Sequence, residues 1–313
     1  MDFDLRKLRY FAAVAEELHF GRAAARLHIA QPALSRQIRA LENELKTPLF
    51  VRDRRTTVLT AAGEQLLADA RDLLAAAEAV HRRVTAAAEA KPVLTIGFMP
   101  GIVVTPAVQV LARKRPDVSV RLLRTSWHDQ VEVVHDGRVD VSIVRLPVDQ
   151  RGLSVRPLFT EPRVVMVPAG HRLAGKESVS VTELADEHLL QDPDAVPEWR
   201  DIALELRKPD RPEVPRIHSV EEKLELVAAG AGISVIPLST ATFYTRTDVI
   251  GIPVEDIGPN QVSLAWLATR RSPLIDAFLD AAAGLVPQPG TTPARPDAAR
   301  SFDTGPNPLA GQR

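Results

Sequence analysis

Gln31, Ser35, Arg36 and Arg39 lie in one short stretch, AQPALSRQIRALENEL (residues 30–45), and their side chains are types that read nucleic acid. A glutamine can pair two-pronged with adenine, an arginine with guanine or a phosphate, and a serine with a base edge or a phosphate. To act together they must share a face. Leu34, Ile38, Leu41 and Leu45 repeat at four, three and four, the spacing of a buried helical stripe. Burying that stripe turns the polar residues outward, and Pro32 suits the first turn, where its missing amide hydrogen leaves nothing unpaired. Just beyond, in PLFVRDRRTTVLT, the apolar runs LFV and TVL bracket Asp53, Arg54 and Arg55 as the arms of a hairpin bracket its tip. Arginines on such a tip can follow a minor groove.

Other chemistry is poorly served. The eight histidines are scattered with no H-E-x-x-H, and neither a G-x-S-x-G elbow nor a phosphate-binding loop occurs. The GAG at 230–232 lacks the third glycine of a dinucleotide fingerprint and precedes a strand instead of a helix. There is no cysteine, which excludes a thiol nucleophile, cysteine zinc sites and disulfides. His218 and Ser219 are adjacent, but neighbours along a strand point in different directions and no activating carboxylate can be assigned to them. No catalytic centre, metal or cofactor is expected. Net charge is −1, yet the first 60 residues hold eleven Lys or Arg against seven Asp or Glu, so the basic excess sits with the candidate reading residues. The N-terminus lacks the order of a signal peptide and no apolar run suits a bilayer, so the expectation is a soluble, cytoplasmic protein without membrane contact.

The elements that must position these side chains are legible from periodicity. LRKLRYFAAVAEE (5–17) carries Leu5, Leu8, Phe11, Ala12 and Ala15 at helical spacing, and GRAAARLH from Gly21 has a narrow face of Ala23, Ala24 and Leu27 that lets a neighbour approach. With a turn of three or four residues around His28 and Ala30, this is the layout of a helix-turn-helix whose third helix enters a major groove. Three ordinary packed helices with a polar surface are the competing explanation. A long helix follows, with Thr60 as its expected cap. Its heptad-like seam of Leu66, Ala70, Leu73, Ala77, Val80 and Val84 calls for a partner helix, hence a homodimer or homotetramer.

After Lys91 and Pro92 the texture changes to short β-branched runs alternating with helical stretches, an α/β pattern in two sets. Two lobes joined by two crossings leave a cleft where small ligands commonly sit. Met99, Pro100 and Gly101 follow the first strand; Ser126 reads as the cap of the next helix, with Trp127 and His128 in its first turn; Arg145 ends the strand VDVSIV. An acid held by Arg145 and helix termini against Trp127 would fit such a cleft. The segment from Pro287 is rich in Pro, Gly, Ala and charge and is expected to be a disordered tail.

LRYFAAVAEELHFGRAAARLHIAQPALSRQIRALENEL and PLFVRDRRTTVLTAAGEQLL resemble the winged helix-turn-helix of the LysR-type transcriptional regulators. GRVDVSIVRLP and LVAAGAGISVIPLS follow that family's later pattern. The resemblance implies an all-α winged helix-turn-helix domain and long linker helix, followed by an α/β two-lobed domain built like a periplasmic binding protein. It also implies linker helices that pair subunits, double-stranded promoter DNA as a partner, and a small-molecule effector. Gln31, Pro32, Ser35 and Arg36 match recognition-helix positions and Arg52 and Arg55 match wing arginines. Met99, Pro100, Gly101, Ser126, Trp127, His128, Arg145, His218 and Ser219 match positions that approach the interlobe cleft. The expected domains are 1–60, a linker helix at 61–90, and an effector domain at 91–286. Its first lobe would span about 91–161 and 265–286, and its second about 162–264, before the 287–313 tail. Two departures stand out. Gly21 replaces the Ser or Thr that usually caps helix two, and Lys46 replaces the usual helix-ending glycine, a left-handed position that costs a side chain roughly 1 kcal/mol. A ligand-responsive DNA-binding regulator sensing a small organic acid, aromatic acids included, is the function expected. A solute-binding module whose N-terminal domain serves only assembly is the alternative.

Overall fold

The computed structural model describes residues 4–52, 57–88, 91–207 and 217–285. Arg54, Arg55 and the 287–313 segment lie outside the described residues. The chain opens with α1 (Leu5–Glu17), α2 (Phe20–Arg26) and α3 (Gln31–Leu45), followed by a two-stranded antiparallel ribbon of β1 (Phe50–Arg52) and β2 (Thr57–Leu59) and the long α4 (Ala61–Ala87). Asp4 caps α1 by accepting the Arg6 amide hydrogen at 2.8 Å. Leu8, Phe11, Val14, Leu34 and Ile38 are fully buried between the three helices, each burial worth about 1.5–3 kcal/mol, and the small side chains of Ala23 and Ala24 let α2 sit close. The turn between α2 and α3 is made by His28 at a φ of 54°.

Both departures from the family pattern acquire a physical meaning. Lys46 ends α3 with a φ of 52°, the strained conformation expected of a side chain in a glycine position. Gly21 is not at the cap. The cap of α2 is His19, whose Nδ1 accepts the Arg22 amide hydrogen at 3.1 Å, and Gly21 lies inside the first turn. A Cβ on Gly21 would stand 2.9 Å from His19 Cε1, so the glycine leaves room for the imidazole that replaces the hydroxyl.

Thr60 caps α4 as expected, accepting the Gly63 amide hydrogen at 3.0 Å. The expected seam is split. Leu66 and Ala70 pack into the core of their own domain, while Leu73, Val80 and Val84 remain 46%, 52% and 67% exposed. Farther along, Ala79 is buried against Gly137, and Arg82 Nε donates to the Asp136 carbonyl at 3.1 Å.

The remainder is α/β. In order come β3 (Val93–Phe98), α5 (Thr105–Lys114), β4 (Ser119–Arg124), α6 (Glu132–His135), β5 (Val141–Arg145), β6 (Leu153–Glu161) and β7 (Arg163–Pro168). They are followed by α7 (Pro197–Arg200), α8 (Val220–Ala228), β8 (Ser234–Pro237), α9 (Leu238–Phe243), β9 (Val249–Pro253), β10 (Asn260–Leu267) and α10 (Pro273–Ala282). The strands form a five-stranded sheet, β4-β3-β5-β10-β6, and a three-stranded sheet, β8-β7-β9. β3 runs parallel to β4 and β5, and β10 runs antiparallel to β5. Two compact units result. Among the described residues, one holds those up to 99 together with 104–159 and 261–285, and the other those of 100–103 and 160–260. In the second unit the core gathers on Trp199, fully buried, with its indole N–H donated to the Leu184 carbonyl at 2.9 Å.

Candidate nucleic-acid interface and effector-binding residues

α3 is largely exposed where the expected reading residues lie. Leu34 and Ile38 are fully buried and Leu41 nearly so, while Gln31, Pro32, Arg36 and Arg39 are exposed and Ser35 is half-buried. The helix begins on Ala30 without a side-chain cap, so its first amide hydrogens are not taken up by a capping side chain. Neighbouring basic residues are spent on internal pairs: Arg26 meets Glu16 at 2.7 Å, Arg22 meets Glu17 at 3.2 Å, and Lys7 is bound to Glu44. Among the described residues no carboxylate pairs with Arg36 or Arg39, which leaves two guanidinium groups on one face for an outside anion. The backbone of Arg52 closes β1, opposite Thr57. The ribbon is seated by Phe50, whose ring lies 5.5 Å from that of Phe11 and 5.9 Å from that of Phe20.

The nine residues expected at an effector divide between the two units. In the first, Arg145 is 1% exposed and its guanidinium carbon stands 5.7 Å from the centroid of the Trp127 ring. Ser126 does not cap a helix as expected. It opens a turn, donating its hydroxyl to Asp129 at 2.8 Å and accepting the His128 amide hydrogen at 3.3 Å, and α6 starts only at Glu132. Met99 is fully buried beyond β3. Periodicity missed Gln130. Its buried side-chain amide accepts the Arg145 N–H at 2.8 Å and donates to the Arg145 carbonyl at 3.3 Å, extending β5 sideways as a strand would and fixing the stem of the arginine. Nothing in the spacing signals a pairing made across fifteen residues.

In the second unit, the Pro100 carbonyl accepts the Thr240 hydroxyl at 3.2 Å, and Gly101, with a φ of 81°, lies so close to α9 that a Cβ would come 2.7 Å from Thr240 Cα. Only glycine fits there. Ser219 is the cap of α8, accepting the Glu222 amide hydrogen at 3.1 Å, while Glu222 accepts that of His218 at 2.8 Å. This reciprocal cap accounts for the pairing of those two residues without a ligand. One turn along, Lys223 is half-buried, and burial pushes its ammonium down to about 8.

Comparison with known proteins covers both parts. Residues 5–64 match the bacterial regulatory helix-turn-helix protein, lysR family, and residues 87–286 match the LysR substrate binding domain. The chain is 34% identical over 287 residues to the Hca operon transcriptional activator HcaR of Escherichia coli (strain K12), spanning 88% of this chain and 96% of that protein. It is 34% identical over 290 residues to the HTH-type transcriptional regulator ClcR of Pseudomonas putida, spanning 88% and 97%. Full-length CbnR, solved in complex with its target DNA, aligns with a TM-score of 0.56 at 25% identity over 90% of this chain and 99% of that one. A helix-turn-helix with an outward-facing Gln-Ser-Arg ridge, a long helix behind it, an α/β domain in two units, and family matches across each part lead to one conclusion. The chain belongs to the LysR family of DNA-binding transcriptional regulators.

Proposed function

We propose that this protein is a ligand-responsive transcriptional regulator that binds promoter DNA as a homodimer or homotetramer and senses a small organic acid through its α/β domain. The observation that carries the reading is the ridge on α3, where burial of Leu34, Ile38 and Leu41 leaves Gln31, Arg36 and Arg39 exposed beside a half-buried Ser35 and, among the described residues, the two arginines without an internal carboxylate. α3 enters the major groove, Pro32 and the uncapped amides of its first turn approach the phosphates, and Arg52, Arg54 and Arg55 of the wing follow the backbone. The similarity to CbnR, solved on its target DNA, supports this docking.

For the effector, the stack of Arg145 on Trp127 supports an acid with an apolar or aromatic body: the guanidinium binds the carboxylate and the indole lies against the rest. Met99, Pro100, Gly101, Ser126, His128, His218 and Ser219 are the remaining candidate contacts. The protein is a sensor without turnover and works in the cytoplasm, where its DNA is. Among the described residues no helix is long and apolar enough to cross a membrane.

A mobility-shift titration with the intergenic duplex upstream of this gene tests the reading. The wild-type chain shifts the duplex, and Ser35→Ala with Arg36→Ala weakens binding by about 10- to 100-fold, the loss expected of one or two base contacts. A double variant that binds as the wild type does would remove α3 from the interface. A wild-type chain that binds no DNA would favour a solute-binding module.

A further inference from the structure

We propose that Glu42 is the positioning residue that sets where the wing lies beside the recognition helix. The inference rests on the reading of α3 and the β1–β2 ribbon as the DNA-binding face. Glu42 stands on α3, three residues beyond Arg39, and its Oε1 accepts the amide hydrogens of Leu49 at 3.0 Å and of Phe50 at 3.3 Å. Those residues open the ribbon, and both are buried, so their N–H groups have no solvent to turn to. The same peptide segment is gripped from the other side. Thr60, at the start of α4, donates its N–H to the Leu49 carbonyl at 3.0 Å and its hydroxyl to the Pro48 carbonyl at 2.8 Å. Gly63 passes so close that a Cβ would lie 2.2 Å from the Leu49 oxygen.

The rings of Phe11, Phe20 and Phe50 fix how deeply the ribbon is seated by apolar contact, which is non-directional, and the Thr60 hydrogen bonds tie it to α4, not to the recognition helix. A charge-assisted pair of hydrogen bonds from one rigid helix has direction. Because Glu42 and Arg39 ride on the same helix, any placement of the reading residues on the duplex also places the first strand of the wing. Without the carboxylate, α3 keeps its own contacts and the wing drifts from the backbone.

The experiment uses full-length protein on the upstream intergenic duplex, with Glu42→Ala and Glu42→Gln, and reads affinity across a salt series, minor- and major-groove footprints, and the thermal midpoint. Losing one or two wing–phosphate contacts, Glu42→Ala binds about tenfold more weakly and its plot of log affinity against log salt flattens by roughly one to two units. Minor-groove protection beside the site fades while guanine N7 protection in the major groove persists. Glu42→Gln, which keeps an oxygen acceptor, recovers most of the affinity and the footprint. If Glu42→Ala fails to fold, Glu42→Asp, shorter by one methylene, carries the same expectations. A wild-type salt slope and footprint in the variant, equal loss of protection in both grooves, or a Glu42→Gln protein no better than Glu42→Ala would each overturn the positioning role alone. Failure of the wild-type protein to bind the duplex would instead overturn the reading beneath it.

Discussion

At the scale of single residues, Lys223 shows what burial does to a charge that, among the described residues, has no partner to offset it. Its ammonium is lowered to about 8 by desolvation, against about 10.4 in an unfolded chain. Between those values the unfolded state holds more protons, so stability rises with pH through that window; the cost is complete below about 8 and gone above about 10.4. Lys223→Met is therefore expected to stabilise the protein by about 1–2 kcal/mol at pH 7, after allowing for partial exposure, and by almost nothing near pH 10.5. Urea unfolding at both pH values checks this, and an equal gain at both would sink it. Lys223 also marks the limit of what sequence shows. A buried stripe at fixed spacing announces itself, which is why Leu34, Ile38 and Leu41 identify Gln31, Arg36 and Arg39 as exposed, while Ser35 is half-buried. The His19 cap and the Gln130 clamp depend on where a side chain ends after the backbone has turned, and spacing does not encode that.

Among the elements, α4 divides its apolar residues between two uses. The stripe of Leu66 and Ala70 is consumed by its own domain, and the neighbouring stripe of Leu73, Val80 and Val84 is left bare. A heptad-like repeat could be read before the structure, but not which of its members the adjacent helices would claim: the core that α1 shares takes in Leu66, Leu67, Ala70 and Leu74 of α4. Bare valines on successive turns suit a second copy of the same helix. Val80→Glu with Val84→Glu should convert the assembly to monomers in sedimentation velocity without changing the far-UV spectrum, since neither side chain is buried within its own chain. Unchanged sedimentation would place the subunit contact elsewhere. α6 is shorter than its sequence suggested. Asp129 is bound to both the amide and the hydroxyl of Ser126, which keeps that stretch in a turn until Glu132.

For the whole molecule, the proposed function requires that acid and DNA influence one another, and linkage makes that influence reciprocal. A carboxylate that changes the affinity for the duplex by some factor must have its own affinity changed by the same factor when the duplex is bound. Calorimetric titration of small aromatic and aliphatic acids, with and without DNA, measures both sides of the cycle. Arg145→Ala should lower acid affinity by about tenfold or more, the loss expected of a charge-assisted contact, and unchanged affinity would remove Arg145 from the site. α4, which joins the helix-turn-helix to the α/β domain, crosses Gly137, whose backbone, at a φ of 72°, lies so close that a Cβ there would be 2.7 Å from Ala79. Turning α4 by one residue would bring the longer side chain of Glu78 or Val80 toward the Gly137 backbone, against which Ala79 is buried. The junction is thus keyed like a cog in a slot, and a turn of α4 by one residue would have to lift the helix clear of it first.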